Sequence, residues 1–253
     1  MCTTVGLQVS GSGAEGAVAC DSCGEVTFVV DGIWDAMGPH RPGRSLTVAT
    51  NVAPFSPWLY EPVWRPYSTG ILSYGALSMR REREEMIAAL APVTGQLLVD
   101  VGCSQGLYAR ALAGRGADVV AVDYSRPMLR SAVRRASAVR ADLVAVQAMA
   151  EHLPFGDRSV DSAAFGGSLN DCGDHDAVVG EISRVVIQGG RLFSMSLVHS
   201  HRRIGRLTMA VLERSGMWFP TEQETVGMYE HSGWAVLDQR LDGLVLRLTL
   251  ERR

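Results

Sequence analysis

The spacing of apolar positions changes at Gln96. From there, short apolar runs that fit buried strands alternate with longer stretches that repeat at helical spacing. "QLLVDVG" predicts a strand and "GLYARALAGRG" a helix closed by glycine. "ADVVAVD" predicts a second strand, and "RPMLRSAVRRASA" a helix with proline in its first turn. "DLVAVQA" and "SVDSAAFGG" follow as strands, "AVVGEISRVVI" as a helix and "GRLFSMSLV" as a fifth strand. "RLTMAVLERSG" and "TEQETVGMYEHSG" predict two more helices. "WAVLDQRLDG" and "LVLRLTLERR" close the chain as a hairpin turning at Asp242-Gly243. Repeated strand–helix units imply an α/β fold, a doubly wound sheet with helices on both faces. The expected sheet has seven strands, mostly parallel, with one antiparallel strand from the C-terminal hairpin.

Before Gln96 the pattern is different. Residues 1–38 read as a small Cys-containing β segment: a Gly- and Ser-rich start, then a Cys-x-x-Cys turn and the alternating "EVTFVV". Residues 39–95 read as a helical and aromatic lid region, punctuated by proline in "APFSPWLYEPVWRPYSTG". Within it, Met79, Met86, Ile87 and Leu90 recur at helical spacing with charges on the other face and Pro92 as the stop. Residues 96–253 form the core.

Composition narrows the class. Of 253 residues, 47% are hydrophobic and 20% charged, enough apolar material for a real core. No apolar run reaches the roughly 20 residues of a membrane span, and the first residues lack a secretory pattern, so the expected compartment is the cytoplasm. All 24 basic residues are arginine, yet the net charge is −3, which argues against nucleic acid as a partner. A small-molecule substrate is expected instead, with a homodimer as the candidate assembly. The five cysteines are too few and too scattered for a disulfide framework.

The chemistry concentrates in "LLVDVGCSQGLYARALA", Leu97 to Ala113. Here a buried strand ends in an acid, and a Gly-x-x-x-Gly loop opens a helix. Gly102 and Gly106 permit a sharp turn and close backbone approach to a ligand, and the helix start presents free N–H groups. Asp100 places a negative charge beside that loop, which disfavours a phosphate and suits an ammonium. About 22 residues on, the second strand ends in Asp123, where an acid commonly takes the hydroxyls of a ribose. The conjunction fits a nucleoside with a cationic tail better than a dinucleotide. Gly102-Cys103-Ser104-Gln105-Gly106 does not match Gly-x-Gly-x-x-Gly, so a dinucleotide oxidoreductase is rejected.

"VDVGCSQG", "VVAVDYSRPML", "AEHLPFGDRSVD" and "ISRVVIQGGRLF" resemble, in order and spacing, the motifs of class I S-adenosylmethionine-dependent methyltransferases. The resemblance is to the small-molecule branch that includes ubiquinone and menaquinone methyltransferases, and covers about residues 96–253. It implies a Rossmann-like core and S-adenosylmethionine as cofactor. By motif position, Gly102, Cys103, Ser104 and Gly106 would hold the amino-acid end. Asp123 with neighbouring Tyr124 would hold the ribose, and Asp100 would orient the loop and the methionine ammonium. Met149, Ala150 and Glu151 would lie beside the adenine, with Gly166 at the end of the fourth strand. Two positions depart from the pattern. Ser104 stands where a middle glycine is usual, and is expected to fit with a negative φ. Met149 stands where an acid usually meets the adenine amine, and cannot accept that hydrogen bond well.

Methyl transfer is an in-line displacement at a sulfonium, in which the enzyme mainly positions the nucleophile and excludes water. The resemblance places "FGGSLNDCGDH" near the transferring methyl. Asn170 is a candidate to hold a substrate carbonyl or hydroxyl, and Asp171 is a candidate base or helix cap. His199 and His201 are base candidates because histidine titrates near neutrality. Arg202 and Arg203 would meet an acidic substrate group or solvent. Tyr60, Trp64, Tyr67 and Tyr74 would form an aromatic lid suited to a flat or lipid-like acceptor. "CDSCGEVTFVVDGIWDAMG" resembles half of the zinc ribbon that precedes some methyltransferase domains, including ribosomal RNA guanine methyltransferases. Cys20 and Cys23 would make one knuckle, but only Cys2 remains of the second, with Val5 at its partner position. A four-ligand structural zinc is therefore not expected. Two alternatives stay open: methylation of an RNA base, suggested by the ribbon, and a methyltransferase fold that binds without catalysing.

Overall fold

A computed structural model of the chain describes residues 7–12, 15–20, 26–43, 46–61, 65–200 and 203–253. Four strands come first: β1 (Leu7–Ser12), β2 (Glu15–Cys20), β3 (Val26–Val30) and β4 (Ile33–Asp35). Four helices follow: α1 (Leu46–Asn51), α2 (Ser56–Leu59), α3 (Arg65–Leu72) and α4 (Met79–Leu90). The alternating region then runs β5 (Leu97–Val101), α5 (Leu107–Ala113), β6 (Asp118–Asp123), α6 (Arg126–Ala138), β7 (Val144–Gln147), β8 (Val160–Gly166), α7 (His175–Val185) and β9 (Val186–Leu197). It closes with α8 (Arg203–Glu213), α9 (Glu222–His231), β10 (Trp234–Asp242) and β11 (Val245–Arg252).

The seven expected strands lie in the order β7-β6-β5-β8-β9-β11-β10. β5, β6, β7, β8 and β9 are parallel to one another, and β11 runs antiparallel between β9 and β10. The chain winds outward from β5 through β6 to β7, then returns to β8 on the other side of β5. That reversal opens a crevice beyond the carboxyl ends of β5 and β8, the place where open α/β sheets take ligands.

The sheet does not stop at seven strands. β4 pairs in parallel with β7, and β1 to β4 form an antiparallel meander, so the described residues form one sheet of eleven strands. β1 and β2 fall in the stretch that the sequence pattern reads only as Gly- and Ser-rich. Their strand character comes from pairing with each other and with β3, not from a strong apolar alternation.

Side chains of the central strands alternate between two cores. Leu98 and Ala121 pack on one face with Leu112 of α5 and Met86 and Leu90 of α4. Val99, Val101 and Val122 pack on the other with Ile182, Tyr229 and Trp234. This period of two, covered on both faces, explains why the strands read as continuous apolar runs. Polar atoms in the second core are matched: the Trp234 indole N–H donates to Ser183 Oγ at 2.6 Å, and the Tyr229 and Ser194 hydroxyls lie 2.7 Å apart.

Three local expectations need correction. The hairpin loop is Gly243-Leu244, with Asp242 already paired to Val245. Gly243 has φ +64, and a Cβ there would meet the Leu72 carbonyl at 2.3 Å, so glycine lets the turn seat on the end of α3. The helix after the fourth core strand stops at Val185, and Val186 and Ile187 already belong to β9. In α4, the charged face is not wholly solvated, because Glu82 is completely buried.

Candidate active site

The glycine loop makes three left-handed turns in five residues: Gly102 at φ +63, Ser104 at φ +50 and Gly106 at φ +71. Two of them need glycine for space as well. A Cβ on Gly102 would lie 2.4 Å from Ser168 Oγ, and one on Gly106 would press on Ala132 at 3.2 Å. Ser104 contradicts the expected negative φ. Its backbone is held by its surroundings: Ser104 N donates to Asp123 Oδ2 at 2.8 Å, while Cys103 N donates to the Val122 carbonyl at 3.0 Å. A side chain in the left-handed region costs on the order of 1 kcal/mol.

Two buried carboxyls flank the loop. Asp100 is 2% exposed and accepts Ala109 N at 2.9 Å, which satisfies one of the free N–H groups at the start of α5. Burial raises its pKa to about 7, against the lowering effect of that hydrogen bond and of Arg65. Asp123 accepts both Ser104 N and, at 2.7 Å, Ser125 N. Burial raises its pKa to about 6, with the two amides pulling the other way.

Beyond the loop lies a cavity of about 770 Å³. Gly102, Ser104, Asp123 and Tyr124 line one part of it. Met149, Ala150 and Glu151 also line it. The remaining lining is largely apolar and comes from several elements: Leu46 of α1 and Phe55 just before α2, then Leu72, Leu197, Leu212 and Met217. A smaller pocket adjoins it through Tyr60, Arg65, Gly102 and Ser104, and reaches Asp100, Cys103 and Gly166. Gly166 is needed there, because a Cβ would fall 2.1 Å from the Tyr108 ring.

Asp171 lines the large cavity. Asn51 of α1 donates to its Oδ2 at 3.2 Å and to the Tyr124 hydroxyl at 3.1 Å, while its Oδ1 is buried without a hydrogen-bond partner. Burial lifts its pKa to about 6. The helix-cap role falls elsewhere: Asp174 accepts Ala177 N at 3.0 Å at the start of α7.

Asn170 does not face the cavity. Its amide donates to the Leu197 carbonyl at 2.7 Å and the Trp218 carbonyl at 2.6 Å, and its Oδ1 accepts Leu197 N at 2.7 Å. Both its N–H groups are spent holding the end of β9, so the substrate-binding expectation for Asn170 is corrected to a structural one. His199 is exposed and absent from the cavity wall; its backbone N–H donates to the Pro220 carbonyl. His201, Arg202 and Trp64 lie outside the described residues, as do Cys2 and Cys23 of the zinc-ribbon expectation, whose remaining cysteine, Cys20, ends β2. Among the described residues no group of His, Cys, Asp or Glu is placed to hold a metal ion. Cys172 lines the large cavity and burial pushes its thiol up, as it does for Cys103.

The sequence reading missed a second group of residues. Glu82 pairs with Arg65 and accepts a hydrogen bond from the Tyr108 hydroxyl, and Arg65 lines both pockets. Gln105 donates to the Pro57 carbonyl, and Arg110 of α5 pairs with Glu61 at 2.9 Å. These contacts tie Pro57, Glu61 and Arg65 to the glycine loop and α5. One signal was legible: Glu82 lies three residues after Met79 and four before Met86, on the apolar stripe of its helix.

The comparisons with known proteins agree with this geometry. A methyltransferase-domain family matches residues 99–194. Residues 99–194 thus carry the pattern of a methyltransferase domain, set in a Rossmann-like sheet. It is 35% identical over 127 residues to the demethylmenaquinone methyltransferase of Thermobifida fusca, covering 49% of this chain and 54% of that protein. The chain spans about half the length of the curated relatives it matches. Among solved structures, the cyclase SpnF superposes with a TM-score of 0.65 at 16% identity, over 85% of this chain and 98% of that one. A geranyl diphosphate C-methyltransferase from Streptomyces coelicolor, in complex with S-adenosyl-L-homocysteine, gives 0.60 at 16%, over 69% and 76%. At such identities the structures show a shared fold.

Proposed function

We propose that this chain transfers a methyl group from S-adenosylmethionine to a small, mostly apolar acceptor in the cytoplasm. One observation carries the reading: a single cavity of about 770 Å³ joins the glycine loop and Asp123 to a largely apolar chamber. That volume lies in the range of small-molecule sites.

The residues present fit the cofactor. Asp123 has lone pairs left after accepting two amides, and these suit ribose hydroxyls. The small pocket holds buried polar atoms with no hydrogen-bond partner, Gln105 Oε1, Arg65 Nε and Glu61 Oε2, which suit a zwitterionic amino-acid end. Met149 leaves adenine without its usual acidic partner, and Glu151, on the same wall, is the nearest acid in sequence to take that role. When bound, S-adenosylmethionine supplies an electrophilic methyl on a sulfonium.

The chain's own residues would position the acceptor and exclude water. Leu46, Phe55 and Leu72 cover the chamber, and Asp171 brings a carboxyl oxygen to its wall. Above about pH 6 that oxygen is a carboxylate able to accept a proton from an acceptor hydroxyl or enol. The relatives named demethylmenaquinone methyltransferases support an acceptor with a flat ring and an apolar tail. Calorimetry with S-adenosylhomocysteine, followed by a methylation assay on a demethylated quinol, tests this. No binding of the nucleoside would reject it.

A further inference from the structure

We propose that the face of the lid around Trp58 docks on the surface of an anionic lipid bilayer. Trp58 is 78% exposed, Leu46 66% and Phe55 65%, and Val52 lies exposed between them. An apolar surface of this kind on a soluble fold marks a contact site. Leu46 and Phe55 also line the large cavity, so the exposed patch continues into the chamber proposed for the acceptor.

The charge distribution selects the occupant. Residues 39–74 contain three arginines and one glutamate, and residues 198–217 contain four arginines and one glutamate, with no other charged residue except two histidines in the second segment and one in the first. Together they carry a formal +5 in a chain of −3, so the rest of the molecule is strongly acidic. The two segments meet: Thr47 of α1 contacts Ser215, with the hydroxyl oxygens 3.3 Å apart, and both residues line the cavity. Arg41, at the cavity rim, and Arg214, next to Ser215, are exposed. Basic residues around exposed Trp, Phe and Leu are the chemistry that recognises an anionic membrane surface. The acidic remainder would be held away from that surface, which fixes the orientation with the cavity facing lipid. No helix among the described residues is long and apolar enough to cross a membrane, so the contact proposed is peripheral.

The link from patch to chamber rests on the reading that the acceptor is apolar, and the experiment separates the two. The full chain is sedimented with phosphatidylcholine vesicles with and without phosphatidylglycerol. It is expected to partition onto the phosphatidylglycerol vesicles alone, and less as salt rises. Arg214→Glu should reduce partition about fivefold or more, and Trp58→Ser about tenfold, with S-adenosylhomocysteine affinity unchanged in both. Absence of phosphatidylglycerol-dependent partition, or partition that neither substitution weakens, overturns the proposal. So does a dimer in light scattering that the same substitutions dissolve without any vesicle binding, which would make the patch a protein interface. Calorimetry on the same preparations reports on the cofactor site whatever the vesicles show.

Discussion

The backbone N–H of Ser104 donates to the carboxylate of Asp123 at 2.8 Å, pinning the loop after β5 to the end of β6. One acid therefore shapes the loop and faces the cavity where a ribose would lie. Asp123→Ala should weaken S-adenosylhomocysteine binding by about 10- to 150-fold, since hydrogen bonds to a charged group are worth about 1.5–3 kcal/mol. Calorimetry reads the affinity. Urea unfolding should show a further loss of about 1–3 kcal/mol from two stranded amides.

The same carboxyl makes binding depend on pH. Its pKa of about 6 means that it is protonated in more acid solution and then accepts ribose hydroxyls less well. Affinity for the nucleoside should fall by up to about tenfold per pH unit below 6. A flat profile from pH 5 to 8 would contradict this.

Asp171 predicts an inverted stability profile. Its pKa rises from 3.8 when unfolded to about 6 when folded. Between about pH 4 and 6 the folded chain keeps a proton that the unfolded chain has lost, so stability falls as pH rises through that window and then levels. Asp171→Asn should make the apo protein less sensitive to pH across it, measured by urea midpoints at pH 4.5 and 7.

Ser104→Gly should stabilise the protein by about 1 kcal/mol, because glycine adopts φ +50 without a Cβ penalty. Ser104→Val should destabilise it by more. Chemical denaturation compares the three.

Glu82→Gln should cost about 3 kcal/mol or more, since it leaves the buried Arg65 guanidinium without its counter-charge. Arg65→Met together with Glu82→Gln should recover part of that loss. A double-mutant cycle in urea reports the coupling.

The seven-stranded core was legible because its strands are covered on both faces and read as unbroken apolar runs, as in "LLVDV" and "DVVAVD". The loop residues were legible because glycine spacing and strand-end acids are local signals. What escaped depends on contacts between distant segments. Glu82 sits on the apolar stripe of "MRREREE", but its partners Arg65 and Tyr108, 17 residues before and 26 after it, leave no local mark. Asn170 has the chemistry of a ligand-binding amide, yet the Leu197 and Trp218 carbonyls consume it. The sign of φ at Ser104 is set by Asp123 and Val122, not by the serine itself.

The seam between β4 and β7 is three residue pairs long, and Ile33 of β4 is wholly buried in the core beside it. Without it, β7 would present a bare row of N–H and C=O groups at the rim of a parallel sheet, an invitation to pair with a strand of another chain. The appended meander thus works as a guard rail: it shifts the open rim away from the part of the sheet that carries the site. Trimming β1 to β4 from the chain would keep the cleft residues and lose colloidal safety.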